Sequence, residues 1–317
     1  MHEAYEGFVA RSPQGSVFAT AWWLDVVAPG RWRAHTLEEN GTIVAAWPTV
    51  VRTSRWGEIH EGAPLTPFLG PLLSGEGNAV RRRAHEIAEI ELLLKKIGSC
   101  AHIEARCNPA FDYWTPLSWH GFSQTTHYTW RLPDLGDLDA IFRGVRENIR
   151  REIRKAEKRG IRVEHGSLAD FLEIHRAIQS PPHLESTRAR NRRALEQIER
   201  AAAARDARVI LVARDEDGRP HAAGYFVRDG RWVYYLVGGS DPELRTSGAG
   251  SLVMWKAIEY AAECGLSFDF EGSMVPSVER FFRSFAGVPT PYSIVRKTPS
   301  RVLRLGRPVK RALYSLR

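Results

Sequence analysis

Cysteine is scarce in this chain. The 317 residues hold three, Cys100, Cys107 and Cys264, and no two of them are spaced as C-x-x-C. No disulfide framework is expected, and the setting that fits is a reduced, cytosolic one. No apolar run is long enough to cross a bilayer. The first fifteen residues include acidic positions and lack an apolar stretch, so a signal peptide is not expected. The eleven histidines show no His-x-x-x-His or Cys/His ligand spacing, so no metal site is expected. There is no Gly-x-Ser-x-Gly elbow and no cysteine near a histidine phrase. Catalysis through a covalent enzyme intermediate is therefore not expected.

What the chain does have is length and localised charge. At 317 residues with 43% apolar content, it can build two packed domains. The net charge is +8, which by itself concerns solubility and polyanionic partners rather than fold. Its distribution is more telling. From Arg143 to Arg162 nine Arg/Lys stand against three Glu, a net +6 in twenty residues.

The first half mixes strands and helices. Residues 15–28 suggest a short helix carrying Phe18, Trp22 and Trp23. Strands are expected at Arg31–Glu38 and Thr42–Thr53, joined by Asn40-Gly41, a strong hairpin signal. The stretch from His60 to Gly77 is too rich in proline and glycine for regular structure. Helices follow at Asn78–Ile97 and Phe111–Trp119, with strands at Ala101–Arg106 and Phe122–Leu132. The punctuated junction from Leu132 to Asp139 marks the expected boundary between a domain of residues 1–132 and one of 133–317. Beyond it a single helix is expected from about Asp139 to Arg159. Its apolar stripe is Phe142, Val145, Ile149, Ile153 and Ala156, with Arg146, Arg150, Arg154 and Lys158 as an i, i+4 ridge beside it. Further helices are expected at Leu168–Gln179 and Arg188–Arg205. Strands at Arg208–Arg214, Pro220–Arg228 and Arg231–Gly239 turn at Asp217-Gly218 and Asp229-Gly230, an antiparallel meander.

The chain is organised around Trp232 to Ser273. A strand runs into a Pro-, Gly- and Ser-rich loop, then a helix over Ser251–Gly265, then an alternating strand LSFDFEG (Leu266–Gly272). Gly248 and Gly250 at the helix N-terminus, with the helix dipole, can receive an anion. A dinucleotide fingerprint would need glycine at Val253, and a Walker loop needs Gly-Lys-Ser/Thr; neither is present. Arg245-x-x-Gly248-x-Gly250, with Ala249 between the glycines, resembles the acyl-CoA pyrophosphate loop of GNAT acyltransferases. A plain strand-to-helix turn remains the alternative. A short helix at Val275–Phe285, a strand at Tyr292–Arg296 and a basic helix at Arg301–Leu316 complete the chain.

Longer phrases resemble the Fem family, whose members are double-GNAT acyl- and aminoacyltransferases. ENIRREIRKAEKRGIRVE (Glu147–Glu164) looks like that family's Arg-Asn-x-x-x-Lys-Ala-x-Lys-x-Gly phrase. LSFDFEGS followed by VERFFRSFAG is similar to its Phe-Asp-x-x-Gly and Phe-Lys-x-x-Phe-Gly ending. APLTPFLGPLL (Ala63–Leu73) is similar to its first-domain loop. The resemblance implies an α/β chain of two tandem GNAT-like domains, each a mixed, mainly antiparallel sheet flanked by helices. It also implies a terminal helix returning to the first domain. Arg188–Arg205 is too short for the coiled-coil arm of some members, and Arg283 stands where the family usually has Lys.

The implied reaction is attack of an amine on an activated acyl carbonyl. It requires donor anchoring, a proton acceptor and an oxyanion stabiliser. Asp269 and Glu271 are expected on one strand face as base or ammonium partners, and the resemblance favours Asp269. The alternative for each is structural pairing with Arg. Arg283 is a candidate for phosphate or oxyanion. Of Tyr234 and Tyr235, one is expected to face the core and the other, taken as Tyr235, the cleft. Arg245, Gly248, Ala249 and Gly250 are the candidate donor-phosphate loop, and the Arg146/Arg150/Arg154/Lys158 ridge is the candidate RNA contact. Arg301, Arg304, Arg307, Lys310 and Arg311 are expected to add to it. Trp22, Trp23, Trp114 and Trp119 are candidates for an acceptor groove or, more simply, core. His183 is expected in a loop, as a surface histidine rather than a base. The leading expectation is amide formation from an aminoacyl-tRNA co-substrate onto a small-molecule or peptidyl amine, with no bound cofactor. The alternatives are an acyl-CoA-dependent N-acyltransferase acting on a saccharide or other small amine, and a non-catalytic RNA-binding module.

Overall fold

The computed structural model describes residues 2–75, 79–177 and 185–300. Two compact units share the chain: residues up to His127 together with those from Pro291 onward, and residues from Tyr128 to Thr290. The expected boundary after Leu132 lies a few residues from the division at Tyr128. The expected second domain ran to Arg317, whereas the second unit ends at Thr290. The expected terminal helix and His183 lie outside the described residues.

In the first unit α1 (His2–Arg11) and α2 (Ala21–Val27) precede β1 (Trp32–Glu39), β2 (Thr42–Ser54) and β3 (Gly57–Glu61), an antiparallel run. Asn40 and Gly41 have φ of 50° and 76°, the paired positive φ that a two-residue type I′ turn requires. α3 (Ala79–Ile97) leads to β4 (His102–Arg106), which pairs parallel to β3, and α4 (Thr115–Trp119) leads to β5 (Ser123–Leu132). α1 and β3 were not expected from the sequence. Tyr5, Phe8 and Val9 bury one face of α1 at i, i+3, i+4 spacing.

The second unit contains α5 (Leu138–Gly144), α6 (Glu147–Lys158), β6 (Arg162–His165), α7 (Leu168–Ala177) and α8 (Glu185–Ala203). The meander follows as β7 (Arg208–Arg214), β8 (Pro220–Arg228) and β9 (Trp232–Ser240), antiparallel throughout. α9 (Ala249–Glu263) then crosses to β10 (Ser267–Asp269), parallel to β9 and antiparallel to β5. α10 (Pro276–Phe282) and β11 (Val288–Lys297) complete the described chain. Strand order is β1-β2-β3-β4-β11 in the first unit and β5-β10-β9-β8-β7-β6 in the second. The architecture is mixed α/β, with mainly antiparallel strands flanked by helices.

α9 anchors the core of the second unit. Leu252, Val253, Met254, Trp255, Ala257, Ile258 and Ala261 are buried with Ile149, Ile153 and Ala156 of α6 and with Phe226, Val233 and Phe268 of the sheet. Each large apolar side chain removed from water contributes about 1.5–3 kcal/mol.

The single helix expected over 139–159 is two. Val145 (φ −61°, ψ 136°) and Arg146 (φ −54°, ψ 140°) are extended. The Arg146 N–H leaves the helical ladder to donate to the Ser284 carbonyl at 2.9 Å. Gly144 abuts Ala286, whose Cβ would be 3.1 Å from a Cβ added at the glycine. Arg146 therefore caps α6 instead of standing on its ridge.

Gly248 has φ 88°, and a Cβ there would fall 2.2 Å from the Glu152 carbonyl oxygen of α6. The loop before α9 thus lies directly on α6 backbone, and Lys155 donates to the Thr246 carbonyl to hold it there. Gly248→Ala combines a left-handed strain with a backbone clash. It is expected to cost about 2–4 kcal/mol in chemical denaturation, and a loss below about 1 kcal/mol would contradict the close approach.

Candidate active site

β9 and β10 run side by side only briefly. Their parallel register is Ser267↔Trp232, Phe268↔Val233 and Asp269↔Tyr234. β10 stops there, while β9 continues to Ser240 and pairs with β8 on its other edge. A register shift at Tyr225/Phe226 breaks the β8–β9 ladder at the same level, which increases local twist. Among the described residues no strand pairs with the free edge of β9 beyond Tyr234. An extended chain carrying amide groups can hydrogen-bond to such an edge.

β10 stops because of what Asp269 does. Its carboxylate is fully buried. Oδ2 accepts from Arg131 Nε at 2.7 Å, while Oδ1 accepts from Thr129 Oγ1 at 2.5 Å and from the Glu271 backbone N–H at 2.8 Å. Thr129 and Arg131 lie two apart on β5 and so project from one face of it. That i, i+2 spacing is the sequence signal for these two residues. Glu271 then turns left-handed (φ 59°), followed by Gly272 (φ 68°). A Cβ at Gly272 would fall 2.2 Å from the Tyr128 carbonyl oxygen.

Two expectations are corrected here. Asp269 and Glu271 do not alternate along one strand, because the strand ends at Asp269 and the left-handed turn redirects Glu271. The residue that the family ending favoured, Asp269, is enclosed by a structural pair with Arg131, whereas Glu271 has the unspent oxygen. Glu271 Oε1 is buried and hydrogen-bonds to nothing among the described residues. Burial, and secondarily the Asp269 charge, hold the Glu271 carboxyl well above the usual carboxylate range. A carboxyl shifted in this direction is, once ionised, a stronger proton acceptor than an ordinary carboxylate.

The tyrosines divide by environment. Tyr234 is fully buried and donates its hydroxyl to Asp229 Oδ2 at 3.0 Å. Tyr235 packs between Phe226 (5.4 Å) and Phe282 (5.6 Å), and its hydroxyl makes no hydrogen bond among the described residues. Burial, and then the Glu271 charge, raise its pKa.

The other candidates are placed less favourably. Arg283 lies in a 3-10 turn after α10 and pairs with Glu279 at 3.1 Å, so its guanidinium is partly spent. Arg245 is exposed in the turn Arg245–Ser247. Ser247, Gly248 and Ala249 are buried, with Gly250 half-buried. The Ala249 N–H donates to Ser247 Oγ at 3.3 Å, and the N–H groups of Ser251 and Leu252 both donate to the Gly248 carbonyl at 3.1 Å. The Ala249 and Ser251 N–H groups at this helix start are thus used internally. The ridge is also corrected. Arg154, whose guanidinium lies 6.0 Å from the Phe142 ring, and Lys158 are exposed. Arg150 turns half inward with its Nε buried and unbonded, and Arg146 is the extended cap. Of the tryptophans, Trp23 is core, Trp22 and Trp114 are half-buried, and Trp119 is 60% exposed.

With this geometry in hand, comparison with known proteins is informative. Residues 143–283 match the family described as acetyltransferase (GNAT) domain. A search of curated proteins finds no match. Among solved structures, FemX is 14% identical, with 92% of this chain and 95% of that chain covered at a TM-score of 0.65. A conserved protein of unknown function from Bacteroides thetaiotaomicron VPI-5482 is 12% identical, covers 93% and 96%, and gives 0.56. L-PGS from Bacillus licheniformis is 11% identical, covers 99% and 97%, and gives 0.53. Residues 143–283 are thus similar to GNAT acetyltransferase domains, and the chain as a whole shares the fold of FemX. Acyl transfer is the class of reaction that the matching family's description names. Among the described residues, no helix is long and apolar enough to cross a membrane.

The two carboxylates are expected to respond oppositely to neutral replacement. Asp269→Asn leaves the Arg131 charge buried without its carboxylate and should cost about 3–5 kcal/mol. For Glu271 the fold favours the protonated form. Its stabilising contribution is complete below the ordinary carboxylate pKa and lost as pH rises through the raised one. Glu271→Gln should therefore melt at or above the wild-type temperature at neutral pH and gain no advantage near pH 4. Melting curves of both variants across pH test the assignment, and a strongly destabilised Glu271→Gln would reverse it.

Proposed function

We propose that the chain is an amide-forming aminoacyltransferase that takes its acyl group from an aminoacyl-tRNA and passes it to an amine of a small-molecule or peptidyl acceptor. In this reading the acceptor amine enters the gap where β10 ends. Its nitrogen attacks the ester carbonyl, Glu271 Oε1 takes the amine proton, and the tRNA hydroxyl leaves as the C–O bond breaks. Glu271 returns the proton to that leaving oxygen. The Tyr235 hydroxyl, whose pKa burial and then the Glu271 charge raise, is a neutral donor that can support the developing oxyanion. Asp269 acts as a positioning residue, fixing the turn that carries Glu271.

The observation that carries the choice of donor is the pairing of a basic helix with a self-satisfied loop. α6 presents Arg151, Arg154, Lys158 and Arg159 to solvent, and the loop before α9 is laid on that same helix. A polyanionic backbone suits the exposed cations. A pyrophosphate would have to compete for the Ala249 and Ser251 N–H groups. Gly248, the strongest motif residue for an acyl-CoA loop, is accounted for by its contact with Glu152.

Acyl-CoA remains the second reading, favoured by Arg245, which is exposed beside the α9 N-terminus. The test is donor supply. Amide product should form with charged tRNA, RNase should abolish it, and acyl-CoA without RNA should give none; turnover with acyl-CoA alone would reject the proposal. In the productive assay, kcat should rise with pH along a limb displaced upward from the ordinary carboxylate range. Glu271→Gln should remove that limb and lower kcat by about 10²–10⁴-fold. An unchanged profile would dismiss Glu271 as the base.

A further inference from the structure

The first unit contains a cavity of about 400 Å³ that none of the chemistry above uses. Its size is that of a small-molecule site. The last turn of α3, the start of β4 and the end of β11 enclose it. Leu94, Ile97, Ile103 and Phe122 supply apolar surface, and Cys100 opens onto it. Lys95 and Lys297 complete the wall. Among the described residues neither lysine has a carboxylate partner. Lys297 is half-buried, its Nζ lying 5.8 Å from the Phe122 ring centroid.

Lys297 holds its ammonium over the Phe122 ring beside this apolar wall and forms no ion pair among the described residues, an arrangement that complements an anion carrying an apolar body. Two features oppose this. Glu91 is on the same wall, and the carbonyl end of α3 points its negative pole there. Lys95 is in that last turn, where a cation offsets the pole, so Lys297 is the charge left for a ligand. We infer that this cavity binds a small amphipathic anion, its carboxylate or phosphate head on Lys297 and its aliphatic or aromatic body against Leu94, Ile103 and Phe122. The site is separate from the β9–β10 opening, and the inference does not depend on the acyl donor.

Cys100 provides a readout independent of activity, because Cys107 is fully buried and Cys264 belongs to the second unit. The full chain is alkylated with iodoacetamide, and the rate at each cysteine is followed by peptide mass spectrometry. Octanoate or octyl phosphate should slow alkylation of Cys100 and leave Cys264 unchanged, while octanol and octylamine at equal concentration should not protect. Protection by only one of the two anions identifies the head group as carboxylate or phosphoester. Lys297→Met should raise the half-protecting concentration by about tenfold, and Lys297→Arg should stay within about threefold of wild type. No protection by either anion overturns the inference, as does equal protection by octanol or octylamine. So does unchanged protection in a Lys297→Met variant that melts like wild type. If Lys297→Met does not fold, Lys297→Gln takes its place, with the same loss of protection expected and unchanged protection again overturning the inference.

Discussion

A carboxylate sealed inside the sheet sets the geometry of the second unit. Asp269 is bonded by Arg131, Thr129 and the Glu271 backbone, so all of its acceptor capacity is directed into the fold. Burying this charge is tolerable only because a cation and two further donors meet it at short range. The consequence is local and exact in register. β10 ends at the residue that makes these bonds, the chain turns left-handed at Glu271, and β9 continues without a strand on that edge. The strand end beside β9 is thus set by a structural ion pair.

Glu271 is the complement of that arrangement. The same turn that satisfies Asp269 leaves Glu271 Oε1 buried and unbonded, a state that costs stability. Perturbed carboxyls of this kind cluster at functional sites, and one whose pKa is raised is a stronger base once ionised. Tyr235, packed between Phe226 and Phe282, stands in the same environment without committing its hydroxyl.

The glycine loop shows how one motif can have two physical causes. A glycine before a helix permits either an anion or a neighbouring backbone to come close. At Gly248 the neighbour is the Glu152 carbonyl, and the contact docks α9 onto α6. The basic residues of α6 are consequently carried beside the loop, and a polyanion can be met by the helix surface instead of by loop amides.

Much of the fold was legible in the sequence because it rests on local rules. The two-residue turn at Asn40-Gly41, the meander punctuated by Asp217-Gly218 and Asp229-Gly230, the helix after Gly250 and the apolar stripe Val145, Ile149, Ile153 and Ala156 follow from backbone preference and periodicity. The Fem-like phrases extended that reading to the architecture. Residue types suited to acyl transfer are legible in the sequence too. What only the tertiary structure decided is which partners those residues meet. Arg131 and Thr129 are far from Asp269 in sequence, Ser284 draws Arg146 out of its helix, and Tyr128 passes over Gly272. Each is a long-range contact that overrides a local preference. Periodicity describes one segment at a time, whereas burial and pairing of a charge depend on which distant segment lies opposite it.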